Sequence, residues 1–382
     1  MLAQILTALS LAIWLYLLLG RGGFWLSSQR DDGELAPVRA WPRLTIVIPA
    51  RDEAEGIGAC IGSLLAQDYA GAWSIVLVDD GSSDGTAAIA RQTAAVRAPE
   101  DRLDVVTGRP LPAGWTGKLW ALKQGIEVAQ GLNPAPEYLL LSDADIVYAP
   151  DTLTRLVARA QAGGLVLTSL MVKLRCESLP ERALIPAFIF FFQMLYPFAW
   201  INRPRAATAG AAGGCMLVRS ETLWQAGGIG AIRNALIDDC TLAGILKAQG
   251  PIWLGLTEQV ASIRRYQQFE DIRRMVVRSA YAQLRYSPLL LVGVLAGMML
   301  TYLAPPLFAV FGSGAARIMG LSAWLLMALA FQPTLRFYRL SPLWGIALPA
   351  IAFCYTLFTL DSAVQFWRGQ GGLWKGRVQA RE

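Results

Sequence analysis

The stretch Tyr138-Leu139-Leu140-Leu141-Ser142-Asp143-Ala144-Asp145 constrains the fold more than any other part of the chain. A short, continuous apolar run suits a strand buried on both faces, and such strands belong to parallel sheets covered by helices. The run would carry Asp143 and Asp145 to its exposed carboxyl end. Period-two alternation then points both carboxylates the same way, toward one shared divalent cation such as Mg2+ or Mn2+. Two solvated aspartates closing a strand in a turn are the plain alternative, and the commoner one for an isolated Asp-X-Asp.

The flanking sequence repeats the pattern. Residues 43–49 read as a strand closed by Pro49, followed by Arg51-Asp52-Glu53 and helical spacing over 54–67. Residues 74–79 form a second strand, which runs into Asp79-Asp80-Gly81-Ser82-Ser83-Asp84-Gly85-Thr86 and a helix over 87–98. A third strand covers 103–107, and Gly114-Trp115-Thr116-Gly117-Lys118 opens a helix over 119–130. The fourth strand, 138–141, is followed by a helix over 151–162 and a strand over 165–172. Strands alternating with helices of this length predict an α/β domain with a mainly parallel, Rossmann-like sheet and a ligand crevice at the strands' carboxyl ends. Further on, residues 206–214 are rich in small side chains and suit close approach to a ligand. A strand over 215–218 and a short helix over 220–227 follow. Asp238-Asp239 opens a helix over 240–249, where the dipole favours carboxylates.

Composition narrows the chemistry. The 382 residues contain no histidine, which removes His-based triads, His-ligated zinc and imidazole bases and leaves carboxylates for metal binding and proton transfer. The five cysteines are scattered without a Cys-x-x-Cys, fitting neither a zinc site nor a disulfide framework. With 54% hydrophobic and 16% charged residues, the chain is too apolar for an ordinary soluble enzyme. The net charge of +6 gathers near apolar segments, which reads as contact with a membrane surface and not with nucleic acid.

Residues 1–20 read as an N-terminal transmembrane anchor. Arg21, Arg30, Arg39 and Arg43 follow it, so the positive-inside rule places the rest in the cytoplasm. Residues 21–42 are expected to be a linker and 43–260 the catalytic domain. Within that domain the apolar segment 183–201, interrupted by Pro186, Gln193 and Pro197, is read as lying in the membrane interface. Crossing there would put Asp143/Asp145 and Asp238/Asp239 on opposite sides of a bilayer. Residues 261–287 are expected to form a basic, amphipathic interfacial helix. Residues 288–363 hold the C-terminal transmembrane candidates 289–311, 318–333 and 343–363, the middle one short for a crossing. Residues 364–382 form a basic tail with Arg368, Lys375, Arg377 and Arg381. Three full crossings would put that tail outside, against its charge.

The motifs Pro49-Ala50-Arg51-Asp52-Glu53, Asp79 to Thr86, Gly117-Lys118, Ser142-Asp143-Ala144-Asp145, Gly213-Gly214 and Asp238-Asp239 occur in that order. Together, over about residues 43 to 285, they resemble a family 2 glycosyltransferase with the GT-A fold. Among such enzymes the chain most resembles membrane-bound bacterial members related to ceramide glucosyltransferase, in particular the hopene-associated group. The resemblance implies a multi-pass protein of the bacterial inner membrane with its catalytic domain in the cytoplasm. Glu53, Asp79, Asp80 and Asp84 would contact the nucleoside of a nucleotide-sugar, UDP-linked in most members. Lys118 would neutralise diphosphate charge, or is a solvated lysine. Asp143 and Asp145 would hold Mn2+ or Mg2+ on the diphosphate. Asp239 matches the family's catalytic base, with Asp238 before it, and direct displacement at C1 would invert the anomeric centre.

The acceptor implied is a hydroxyl on a membrane lipid, hopanoid or otherwise isoprenoid-derived. The Gln-x-x-Arg-Trp motif of processive and ceramide-type members is missing. Arg273, Arg274 and Arg278 stand at similar spacing, either to grip phosphate or as the basic face of an interfacial helix. A processive polysaccharide synthase and a non-catalytic membrane scaffold are the alternative functions.

Overall fold

The structure, a computed structural model, describes residues 1–97, 102–370, 373–374 and 377–378. In chain order its elements begin with α1 (Leu2–Leu19), β1 (Leu44–Ala50), α2 (Ala54–Leu65), β2 (Trp73–Asp79), α3 (Thr86–Arg97), β3 (Leu103–Thr107) and α4 (Gly117–Gln130). Next come β4 (Tyr138–Ser142), β5 (Ile146–Tyr148), α5 (Thr152–Gly163), β6 (Leu167–Lys173), α6 (Leu179–Leu195) and α7 (Phe198–Ile201). They continue with β7 (Cys215–Arg219), α8 (Ser220–Gln225), α9 (Asp238–Lys247), β8 (Ile252–Ser262), α10 (Phe269–Val277) and α11 (Ala280–Gln283). The chain then runs through α12 (Pro288–Met298), α13 (Ala304–Phe311), α14 (Gly314–Phe337) and α15 (Leu348–Trp367). It divides into two compact units, one of sheet and helices, the other all helical.

The first unit, Gln29–Leu174 with Trp200–Arg264 and Leu373–Glu382, is built on an eight-stranded sheet ordered β3-β2-β1-β4-β7-β6-β8-β5. Neighbours β3, β2, β1 and β4 are parallel, as are β6 and β8, while β7 and β5 run against their neighbours. Every residue of β1 and β4 is buried, as a central parallel strand requires. Leu44, Ile46, Ile48, Ile75, Leu77 and Leu140 pack with Ile57, Ile61 and Leu64 of α2 in the main core. Pro49 does not close β1 as expected, because it lies past Val47, the last residue paired with β4. Helix α3 starts one residue early at Thr86, and Ala98, at its expected end, lies outside the described residues.

Two strands go beyond the sequence reading. Short β5 pairs with β8, and β8 itself runs through position 260, so the expected boundary between catalytic domain and interfacial segment falls inside a strand. The expected linker 21–42 is also partly structured. Arg30 bridges Leu256 alongside β8, and Asp31 accepts a hydrogen bond from Thr257 Oγ1 at 2.6 Å. Backbone groups that find partners along a strand do not behave as a tether.

The second unit comprises Met1–Ser28, Arg175–Ala199 and Arg265–Gly372. Four helical stretches among the described residues are long and apolar enough to cross a membrane: Leu2–Leu19, Leu179–Ile201, Pro288–Phe311 and Gly314–Phe337. The expected short span 318–333 is therefore corrected. Helix α14 is 24 residues long and continues past Pro333, giving about 36 Å at 1.5 Å per residue. The candidate 343–363 begins as a 3-10 turn, and its helix starts only at Leu348. Helix α6 is opened by a capping box, Ser178 with Glu181, and is largely buried within this unit. There Phe190 meets Phe24 and Phe331, while Phe191 meets Tyr302 and Tyr355 edge-on.

The basic segment 261–287 is not one helix. Its first two residues end β8, Arg264 follows in the connection, Gln268 caps α10, and the helix breaks at Arg278 before α11. Arg273 is held by Glu270 and Asp361, and Arg274 by Glu270. In the tail, Lys375 and Arg381 lie outside the described residues.

Helix α4, which carries Lys118, approaches the sheet through Gly125. A Cβ there would meet Val47 Cγ1 at 2.5 Å and Val78 Cγ2 at 3.0 Å. Gly125→Ala should destabilise the protein by about 1–3 kcal/mol despite the better helix propensity of alanine. Gly244→Ala on α9 meets nothing within 4 Å and should instead be neutral or stabilising by up to about 1 kcal/mol. Thermal unfolding midpoints of the two variants, moving in opposite directions or only downward for Gly125→Ala, check this.

Candidate active site

Strand direction decides where the acidic residues gather. The carboxyl ends of β1, β2 and β4 share one edge of the sheet, in register from Ala50↔Asp79 and Val47↔Leu141. Antiparallel β7 begins at that edge, with Cys215 opposite Ser142. Antiparallel β5 begins beside the end of β8, with Ile146 opposite Ser262. Ligand crevices of open α/β sheets form at such edges.

The loops after β1 and β2 are stitched together. Arg51 Nη1 donates to the Asp80 carbonyl at 2.6 Å and lies 3.8 Å from the buried Asp80 carboxylate. Ser82 Oγ accepts from Asp52 N at 3.0 Å, and Asp52 Oδ1 accepts from Ser83 N at 2.8 Å. Asp84 accepts from Ala54 N at 2.9 Å and from the Thr86 hydroxyl at 2.5 Å. Burial pushes the Asp84 carboxyl up, and these bonds from Thr86 and Ala54 outweigh it, leaving the group below the ordinary range. Asp79 turns its carboxylate back to Ser82 N at 3.2 Å. Asp79, Asp80 and Asp84 thus lie together in these joined loops.

A second group forms a chain of alternating charges. Lys118, in the first turn of α4, places Nζ 2.9 Å from Asp143 Oδ1 and 3.3 Å from Asp238 Oδ2. Asp239 begins α9 beside Asp238, and its Oδ2 accepts Gly213 N at 3.0 Å. A Cβ on Gly213 would stand 3.3 Å from Lys118 Nζ and 3.5 Å from Asp239 Oδ2, so the glycine keeps this corner open. On the other side, Arg264 Nε lies 2.8 Å from Asp145 Oδ2 and its Nη2 lies 2.7 Å from Glu53 Oε1. The structure therefore brings Glu53, Lys118, Asp143, Asp145, Asp238 and Asp239 together through Lys118 and Arg264. Next to Lys118, Trp115 meets Trp120 edge-on, and Arg109 lies over the Trp120 ring.

Two expectations are corrected here. Asp143 and Asp145 do not ride one strand face, because β4 ends at Ser142 and both stand in the turn before β5. Each faces a different basic side chain. Arg264, expected at the head of an interfacial helix, belongs to this acidic cluster and was missed from the sequence. Its only local mark is its place just past an apolar strand, which Arg265 shares.

Electrostatics follow from crowding carboxylates where water is scarce. Burial and the neighbouring Asp238 charge push Asp239 up to about 6, although Lys118 and the N–H groups of Cys240 and Gly213 pull the other way. Burial raises Asp143 as well; Lys118 opposes this, and Asp145 and Asp238 add to it. Burial alone would lower Lys118, but Asp143, Asp238 and Asp239 hold it above the ordinary lysine range. Among the described residues, no three histidine, cysteine or carboxylate side chains converge as a ready-made metal cage. Two aspartates on one tight turn, in a cluster where five carboxylates meet two cations, nonetheless suit a hard divalent ion. Water and phosphate oxygens would complete its shell.

Comparison with known proteins agrees with this architecture. Residues 45–227 match the family described as glycosyl transferase family 2. An N-acetylglucosaminyltransferase of Mesorhizobium japonicum is 30% identical over 122 residues, 32% of this chain and 26% of that protein. A polyprenol monophosphomannose synthase of Mycolicibacterium smegmatis is 33% identical over 143 residues, 35% of this chain and 48% of that protein. The chain thus spans less than half the length of either relative. In fold it is similar to a mannosyltransferase of Pyrobaculum calidifontis solved in complex with GDP-Man and Mn2+. That likeness has a TM-score of 0.55 at 19% identity and covers 98% of this chain and 100% of the other. With its mainly parallel sheet and its ordered acidic motifs, the chain carries a glycosyl transferase family 2 domain of the GT-A fold.

Proposed function

We propose that the protein is a membrane-bound, inverting glycosyltransferase that moves a single sugar from a nucleotide-sugar to a lipid hydroxyl. The observation that carries this reading is Asp239, a half-buried carboxylate held near 6 and seated beside Lys118 and the Asp143–Asp145 turn. A base with that affinity for protons is mostly ionised at neutral pH, yet basic enough to take a proton from an attacking hydroxyl. The acceptor oxygen would bond to C1 as the C1–O bond to the diphosphate breaks. The electron pair leaves with the nucleoside diphosphate, and the acceptor proton passes to Asp239. One displacement inverts C1.

Asp143 and Asp145 would hold Mn2+ or Mg2+, an ion that supplies charge stabilisation to the departing diphosphate. Lys118 would share that charge. Asp79, Asp80 and Asp84 would face the nucleoside, Asp84 also fixing the loop that receives it. The apolar helices would tether the domain to the cytoplasmic face of the bacterial inner membrane, with 183–201 in the interface. The sequence resemblance points to a UDP-linked donor and a hopanoid or other isoprenoid acceptor. The relative named for polyprenol monophosphomannose suggests a lipid phosphate as the other acceptor class. A phosphate arrives already ionised, however, and leaves Asp239 no proton to take.

Purified protein in lipid, offered UDP- and GDP-sugars with lipid alcohols and lipid phosphates, should release nucleoside diphosphate only with Mn2+ or Mg2+. EDTA, Asp145→Asn and Asp239→Asn should each reduce turnover at least about a hundredfold. Transfer that survives Asp239→Asn on a lipid alcohol would remove the base from this scheme.

Turnover should rise with pH through the region near 6 as Asp239 loses its proton. Asp238→Asn removes the neighbouring charge and should move this acid limb to lower pH. An unmoved limb in the pH–rate profile of that variant would assign the ionisation to another group.

A further inference from the structure

Asp145 is engaged before any ligand arrives. Its Oδ2 receives Arg264 Nε at 2.8 Å and Ser262 Oγ at 3.1 Å. The second arm of the same guanidinium reaches Glu53 Oε1 at 2.7 Å. Arg264 thus spans carboxylates from two separate places, the loop after β1 and the β4–β5 turn, while standing two residues beyond β8. The side chains of Asp145 and Glu53 are 12% and 16% exposed, against 38% for Arg264. The acids are fixed and shielded, and the cation between them is the wetter partner.

That asymmetry has a direction. Ile263 N donates to the Asp145 carbonyl at 2.9 Å, and Ile146 pairs with Ser262, so the turn is held by backbone when the guanidinium moves. Two shielded carboxylates stripped of their cation are unstable together and will take up another. A divalent ion offers more charge than the arginine it replaces. Once off Asp145, the guanidinium keeps a planar set of donors suited to phosphate oxygens, and Glu53 still tethers it.

We propose that Arg264 is a positioning residue, a resident cation that occupies Asp145 in the ligand-free protein and yields it to a divalent metal. The proposal rests on Asp143 and Asp145 being the metal carboxylates, but its test separates the two. Metal affinity is held down until a donor diphosphate arrives to receive the arginine, so metal and donor bind as a pair.

The test is a titration of the full chain in lipid nanodiscs with Mn2+ alone, reading free Mn2+ by electron paramagnetic resonance. Arg264→Gln should bind Mn2+ roughly tenfold more tightly than the unmodified protein. Adding Asp145→Asn should abolish that gain. Arg264→Lys, whose single ammonium cannot span both acids, should give a smaller gain, and it carries the test if Arg264→Gln does not fold. Arg51→Gln controls for the loss of one positive charge, since Arg51 stands at the same sheet edge beside Asp80 and should change nothing.

Equal or weaker binding by Arg264→Gln, or an equal gain in Arg51→Gln, overturns the proposal. If binding in the unmodified protein depends on Asp145 and ignores Arg264, only this proposal falls. If neither protein binds Mn2+, the metal reading falls with it.

Discussion

The repulsion among carboxylates at one sheet edge is the constraint that the rest of the domain answers to. Parallel strands deliver their carboxyl ends to the same side, so Glu53, Asp79, Asp143 and Asp145 are brought together by topology. Like charges a few ångströms apart at an effective dielectric near 20 repel by about 4 kcal/mol. Two devices relieve this. Lys118 and Arg264 are inserted between acids from different elements, and backbone N–H groups from Gly213, Ala54 and Ser83 take up individual oxygens. Relief is incomplete at Asp239, which keeps a proton well above the usual carboxylate range.

That residual strain links stability to function with opposite signs. A carboxyl whose folded-state pKa is raised stabilises the fold while it is protonated, and this contribution is lost as pH rises from its unfolded value through about 6. The same deprotonation creates the base. The domain is thus least helped by Asp239 under the conditions in which Asp239 can work, a common feature of residues tuned for chemistry.

Much of this was legible in the sequence. Strands β1, β2 and β4 announce themselves because each is a mainly apolar run with acids at or soon after its end, and each has a strand on either side. Lys118 could be placed at a helix start because Gly114-Trp115-Thr116-Gly117 precedes the helical run, and in the structure Thr116 caps that helix, which begins at Gly117. What escaped depends on contacts between distant parts of the chain. Strand β5 has three residues and no period to read, and β8 is interrupted by Gly255 and by Glu258. Arg264 differs from Arg265 in nothing local, since its partners lie 119 and 211 residues away. Helix α14 was underestimated because Arg317 and Pro333 look like ends, although an arginine one turn inside a helix can reach outward along its stem.

The pairing of β5 has a kinetic side. This three-residue strand at the sheet's margin has β8 as its strand partner, through residues 260–262, and Tyr148 also bonds to Ser63, Ser142 and Gly214. Sheet margins open more readily than sheet centres, exposing their amides without global unfolding. Ser262 and Arg264, which hold Asp145, stand at and just past the end of the strand that pairs with β5, whereas β1 and β4 pair with one another deeper in the sheet. Loss of the β5–β8 pairing would be coupled to loss of the Arg264–Asp145 contact and would leave the contacts of Lys118 with Asp143 and Asp238 in place. The site thus has one basic arm tied to the sheet's margin and another, Lys118, on a helix packed against Val47 and Val78 of the interior strands.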